Sequence, residues 1–317
     1  MNLFVTLKYL VALDDHRHFG RAALACHVTQ PALSNAIRAL EESFGTSIVK
    51  RGRNFAGFTA EGERVLVSAR RILREHELLR QDLSSAAESP TGELLIGAVP
   101  TAMPIASRFV AMLQDRHPGI VPTLRSMSSV ELETGLETLA LDLALGYAER
   151  TDDSSAHRRV IVQYVEHYFL ARRAEPGQPR RDSITWAEAA GLPLCLLTAE
   201  MHNRTIIDRA FATAGAKVRP AIESNSTVTL VLSVQTGRVS SVLPGSMLGQ
   251  VLGQPDVEVL PLVEPRIEVP IAFLVHNLNP ASRTLSAALE FAQDPQWLAH
   301  ASAHSGIGAH AATVDPA

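Results

Sequence analysis

The chain has 317 residues, 46% apolar and 5% aromatic, and a net charge of −4. That length accommodates two domains with substantial cores, and the composition is that of a folded chain rather than a disordered or fibrous one. No apolar run approaches the ~20 residues that span a bilayer, and MNLFVTLKYLVALDDHRHF lacks the form of a secretory leader. Cys26 and Cys195 match no metal or disulfide spacing. A cytoplasmic protein with reduced thiols and no membrane contact is the expectation.

The small net charge conceals an asymmetry. Residues 1–74 hold eleven Lys or Arg against six Asp or Glu, a balance of +5, which leaves −9 on the remainder. A basic module on an acidic body points to a polyanionic partner for the first part.

In chain order, Leu3, Leu7, Leu10 and Val11 recur at helical spacing and predict a first helix ending near Asp14 and Asp15. A short second helix follows over Gly20 to Cys26, where Ala22 and Ala23 allow another helix to cross closely. The turn HVTQ leads into QPALSNAIRALEESF, Gln30 to Phe44. Its Leu33, Ile37, Leu40 and Phe44 form one narrow apolar stripe, while Gln30, Pro31, Ser34, Asn35, Arg38 and Glu42 face away. Thr29 suits the N-cap and Pro31 the first turn, where a missing N–H costs nothing. Two helices around a tight turn, the second with a polar front, make a helix-turn-helix, and that front has the groups that meet phosphates and base edges in a major groove. TSIVKRGRNFAGFT then offers two short β-prone pieces around Lys50, Arg51 and Arg53, read as a wing beside the groove.

From Thr59 to about Ala87 no proline interrupts a long helix. Val65, Ile72 and Leu79 repeat every seven residues, as do Ala69, His76 and Leu83. This repeat predicts dimerisation through the helix, with packing on the same chain as the alternative. SSAAESPTGE has the composition of a hinge. Beyond it, strand-like and helix-like pieces alternate: ELLIGAV, Ile105 to Arg116, IVPTLRS, Val130 to Leu139, LDLALGY, VQYVEHYFLAR, PLCLLT, Asn203 to Ala214, Ser226 to Thr236, VSSVLP, VEVLP, IEVPIAFLVH and Ala281 to Ala292. The alternation predicts an α/β architecture of two doubly wound lobes with crossovers near 163 and 267. The expected division is a winged helix-turn-helix over 1–58, a linker helix over 59–88, a hinge over 89–92 and a two-lobed domain over 93–298. Lobe I takes 93–163 and 268–298, and lobe II takes 164–267. A disordered tail is expected over 299–317, with His300, His304 and His310 as weak metal ligands at most.

The segments FGRAALACHVTQPALSNAIRALEESFG, FTAEGERVL, GELLIGAVPTAMP, LETGLETLALDLALGY and TGRVSSVLP together resemble LysR-type transcriptional regulators over essentially residues 1–298. The chain departs from that pattern at His18, where the family usually has Ser, and at Ile48 and Val49, where it usually has Leu-Phe. The resemblance implies an effector domain like periplasmic solute-binding proteins. It also implies promoter DNA as partner, with contacts at Thr29, Gln30, Pro31, Ser34, Asn35, Arg38, Lys50, Arg51 and Arg53. The same resemblance implies a dimer-of-dimers tetramer that bends DNA; contact with RNA polymerase is expected as well, and neither catalysis nor a cofactor is. TAMPIASRF is further similar to regulators of one-carbon operons such as formate oxidation.

In doubly wound sheets, ligands sit beyond the carboxyl ends of strands. Four strand-to-helix junctions are rich in small or hydroxyl residues: Thr101 and Ala102; Ser128 and Ser129; Met201, His202, Asn203 and Arg204; and Asn225, Ser226 and Thr227. If they converge, several helix N-termini and one guanidinium face a single cleft, which favours a small carboxylate or similar anion with Arg204 or His202 as counter-charge. The residues are equally good N-caps. Some LysR-type regulators sense peroxide through a cysteine pair, and Cys195 raises that alternative, although PLCLLT reads as a buried strand and leaves the thiol inert. A solute-binding protein is the other alternative, but it has no need of a basic helix-turn-helix. No HExxH, CxxC, GxxxxGK or nucleophile-and-base order suggests an enzyme.

Overall fold

The computed structural model describes residues 2–50, 52, 55–83, 89–150, 158–174, 181–254, 256–277 and 281–306. It divides into two compact units whose main chain boundary falls between Glu88 and Ser89.

In the first unit, α1 (Leu3–His16) is capped by Asn2 and buries Leu7, Leu10 and Leu13, then stops at Arg17 in the left-handed region. Helix α2 (Phe19–Ala25) buries Ala22 and Ala23, the small residues that admit the crossing. Helix α3 (Gln30–Phe44) has the predicted bounds: Thr29 Oγ1 accepts the Ala32 N–H at 3.3 Å, Pro31 lies in the first turn and Gly45 closes it at φ 62°. Leu33, Ile37 and Leu40 are buried, each contributing roughly 1.5–3 kcal/mol. Phe44, expected on the same stripe, is instead 49% exposed, because the helix ends one turn past the edge of the core. Among the described residues, the wing pairs through an antiparallel bridge, Val49 to Phe58. Glu41 pins it to α3 by accepting the N–H groups of Ile48 and Val49 at 2.7 and 3.0 Å. Helix α4 (Ala60–Leu83) starts at Thr59, whose hydroxyl accepts the Gly62 N–H. Its first half joins this core through Leu66 and Ala69. The buried guanidinium of Arg70 holds Asp14 and Asp15 of α1 at 2.8 and 2.9 Å.

The second unit contains β1 (Gly92–Ala98), α5 (Met103–Arg116), β2 (Ile120–Ser126), α6 (Ser129–Glu137), β3 (Leu143–Tyr147), β4 (Arg158–Glu166), β5 (Tyr168–Arg173), β6 (Ile184–Thr185), α7 (Trp186–Ala189), β7 (Leu194–Leu197), α8 (His202–Thr213), β8 (Ile222–Ser224), α9 (Thr227–Gln235), β9 (Ser240–Pro244), β10 (Val257–Val263), β11 (Val269–His276), α10 (Arg283–Phe291) and α11 (Pro295–Ala303). Two sheets result, ordered β2-β1-β3-β11-β4 and β6-β10-β5-β9-β7-β8. Each has a parallel core, but β4 and β11 run antiparallel to each other and β5 runs antiparallel to both β9 and β10. The sheets are mixed rather than uniformly parallel because the chain crosses between lobes in extended conformation.

The first crossover lies at His167, not near 163. VQYVEHYFLAR reads as one strand, yet it breaks there and its halves enter different sheets. The disorder expected from 299 does not hold through Gly306. Asp294 caps α11, Trp297 is fully buried, and its indole donates to Gln163 Oε1 at 2.6 Å and meets Phe109 edge-on. Ser305 is also buried, and its carbonyl lies where a Cβ on Gly245 would fall. Residues 307–317, with His310, are outside the described residues. Among those described, no group of three His, Cys, Asp or Glu is placed to hold a metal.

Candidate functional site

Two sites follow from this arrangement. The first is the front of α3. Thr29, Gln30, Pro31, Asn35, Arg38 and Lys50 are exposed and Ser34 is half-buried, while Arg51 and Arg53 lie outside the described residues. A groove of about 830 Å³ between α3 and the wing brings Ser34, Arg38 and Lys50 together. Arg38 has no ion pair or hydrogen bond among the described residues, so its guanidinium is available to a base edge or phosphate. His18 takes a different part: its Nδ1 accepts the N–H groups of Gly20 and Arg21 at 3.1 and 3.3 Å, so the imidazole caps α2 as a serine would.

The second site lies between the lobes. Thr101, Ser128, Ser129, Met201, His202 and Asn203 converge on one small cavity, joined by Val99, Pro100, Tyr147 and Leu197. Its volume is about 10 Å³, on the order of one water molecule. Ala102 is buried behind it, and Ser226 and Thr227, at the start of α9, do not line it.

Arg204 is not the counter-charge expected from the sequence. Its guanidinium turns away, donating to Asp208 at 2.8 Å, Glu223 at 2.7 Å and the Leu197 carbonyl at 2.8 Å. The i,i+4 spacing to Asp208 and the edge position of β8 decide that direction. His202 does line the cavity, but its Nε2 is 3.0 Å from Glu149 and its ring packs edge-on to Tyr147, so it brings no unpaired charge.

Beneath the cavity lies a buried polar network. Thr101 Oγ1 and Tyr147 Oη are 3.1 Å apart, and Asn203 Nδ2 donates to Tyr168 Oη at 3.1 Å. Glu166, the last residue of β4, accepts the Ser246 N–H at 3.0 Å and the Ser246 hydroxyl at 2.9 Å. Burial pushes the Glu166 carboxyl up to about 7, with the bonds from Ser246 opposing that rise. Burial also raises the hydroxyls of Tyr147, Tyr164 and Tyr168 above the ordinary phenol range, so all three are neutral. Tyr147, Tyr164, Glu166, Tyr168 and Ser246 carry no local motif, and only the meeting of two lobes makes them one cluster. Cys195 is fully buried in β7, burial pushes its thiol up, and it does not line the cavity.

Comparison with known proteins identifies both parts of the chain. A family model described as a bacterial regulatory helix-turn-helix protein of the lysR family matches residues 4–63, and one described as a LysR substrate binding domain matches 87–296. The DNA-binding transcriptional dual regulator OxyR of Escherichia coli K12 is 30% identical over 263 residues, 82% of this chain and 84% of that protein. Among solved structures, a full-length OxyR variant from Pseudomonas aeruginosa aligns with TM-score 0.73 at 23% identity, over 92% of this chain and 98% of the other. Full-length CbnR in complex with its target DNA aligns with TM-score 0.64 at 21% identity, over 92% and 98%. No described helix is long and apolar enough to cross a membrane. The chain therefore belongs to the LysR family of DNA-binding transcriptional regulators and is not an enzyme.

Proposed function

We propose that this regulator binds promoter DNA through the front of α3 and the wing, and that a small molecule held between the lobes changes how it binds and bends that DNA. The observation that carries the reading is the interlobe cavity, in which polar groups from both lobes meet with their hydrogen-bonding capacity incompletely used. A ligand there contacts both lobes and favours one arrangement of them, and a preference of a few kcal/mol is sufficient to shift an assembly equilibrium.

A dimer through α4, and a tetramer built from it, complete the proposal. Ile72 and Leu79 are 41% and 57% exposed, and an apolar groove of about 380 Å³ lined by Leu3, Phe44, Val65 and Ile72 runs beside them. Such surface on a seven-residue repeat suits a second helix. RNA polymerase contact is part of the same proposal. The redox alternative through Cys195 finds no support in the geometry, since its buried thiol with a raised pKa is a poor nucleophile.

Footprinting of the DNA upstream of the gene, with and without candidate ligands, tests the reading. Protection that weakens steeply with salt and shifts in extent with a ligand is expected. Protection that no ligand alters would remove the effector half of the proposal, and no protection at all would remove both halves.

A further inference from the structure

The cavity between the lobes also discriminates by charge. Two of the residues that line it carry a buried side-chain atom with no hydrogen-bond partner among the described residues: Ser129 Oγ, on a residue 9% exposed, and Asn203 Oδ1, on a residue 4% exposed. They come from opposite lobes, at the first turns of α6 and α8. The amide nitrogen of Asn203, with its two N–H donors, bonds the Tyr168 hydroxyl and lies against the Tyr147 hydroxyl, so what remains is an acceptor that calls for a donor. A serine hydroxyl serves as donor or acceptor. Buried polar atoms of this kind are ordinarily paired, and a ligand that pairs both recovers the desolvation already incurred.

The side-chain charges around the cavity point the same way. Its lining holds no Lys or Arg. The two nearby arginines are committed, Arg204 to Asp208 and Glu223, and Arg150 to Glu133 at 2.7 and 3.2 Å. Three carboxylates stand close by. Glu131 occupies the N-terminus of α6 by accepting the Ser128 N–H at 2.7 Å, Glu149 holds His202, and Glu166 lies in the network beneath. The positive end of α6, which would otherwise draw an anion, is thus already filled by the chain's own side chain.

We propose that the ligand of this cavity is a small uncharged molecule that donates a hydrogen bond to Asn203 and exchanges one with Ser129, such as a primary amide or an alcohol, and not the anion expected from the sequence. This rests on the reading of the cavity as the effector site. An anion offers only acceptors, so it would face Asn203 Oδ1 lone pair to lone pair near the carboxylates of Glu131 and Glu149. With a volume of about 10 Å³ the cavity admits a ligand of a few heavy atoms only as the lobes part around it.

Isosteric pairs separate the two classes: formamide against formate, and acetamide against acetate. The chain has seven asparagines, few enough for the side-chain amide of Asn203 to be followed by NMR in the full-length protein labelled with ¹⁵N-asparagine. Its resonance is assigned by its loss in Asn203→Ser. Formamide or acetamide should move that resonance saturably, with formate and acetate inert at equal concentration. Ser129→Ala should raise the half-saturating amide concentration roughly fivefold, and Ser129→Thr, which keeps the hydroxyl, should restore it. Saturable shifts with the anions but not the amides would overturn the proposal while leaving the cavity as the effector site. No shift with any of the four, in a sample that still binds DNA, would overturn both.

Discussion

Glu166 provides a quantitative test of how the lobes are held. It is 2% exposed at the crossover between β4 and β5, and burial carries its carboxyl from 4.5 to about 7. A group whose pKa is higher folded than unfolded binds its proton more tightly in the native state. Its stabilising contribution is therefore complete below pH 4.5, declines as pH rises, and is gone above about 7. The full difference corresponds to about 3 kcal/mol, most of it falling between pH 5 and pH 8. Glu166→Gln keeps a side-chain carbonyl for Ser246 and abolishes the titration. Both tryptophans, Trp186 and Trp297, lie in the second unit, so urea unfolding followed by their fluorescence reports on the unit containing Glu166. Between pH 5 and pH 8 the wild type should lose roughly 2–3 kcal/mol relative to the Gln variant, whatever their offset at either end. Parallel stability curves across that window would refute the assignment of a buried, titrating carboxylate.

Four further outcomes are expected. Arg38→Ala should weaken binding to the operator by about 1–3 kcal/mol in fluorescence anisotropy, with a smaller effect on random DNA; equal losses would make Arg38 a phosphate clamp. Trp297→Ala should cost about 3–5 kcal/mol by circular dichroism, since it removes a fully buried indole and strands Gln163; a loss under 1 kcal/mol would mean that α11 is dispensable to the core. Ile72→Glu with Leu79→Glu should convert the sedimenting species to a single subunit with DNA-binding heads still folded, and an unchanged sedimentation coefficient would place the interface elsewhere. The Cys195 thiol should resist a thiol reagent in the native protein and react only on unfolding; rapid native labelling would revive a redox role.

Much of this was legible in the residues. Thr29, Pro31 and Gly45 set α3 through local rules of capping and backbone conformation, and the stripe of Leu33, Ile37 and Leu40 set its buried face, so both its bounds and its readable front follow from the sequence. IVPTLRS is β2 residue for residue for the same reason, an apolar β-prone run between turn residues. The cluster at Thr101, Ser129 and Asn203 was visible as a set of strand-to-helix junctions, because junction chemistry is local.

What a side chain turns toward is not local. Arg204 reads as a cation at a helix start, but Asp208 and Glu223 claim it, and only one of them is near in sequence. His167 interrupts an unbroken β-prone run because two sheets compete for its halves, and Trp297 orders a small polar tail because Phe109 and Gln163 lie beneath it. Composition, capping and periodicity thus determined most elements of this regulator and the polar front of α3. The tertiary structure decided how the charges around the interlobe cavity are paired, since Glu149 reaches His202 across 53 residues of chain and Glu223 reaches Arg204 from β8.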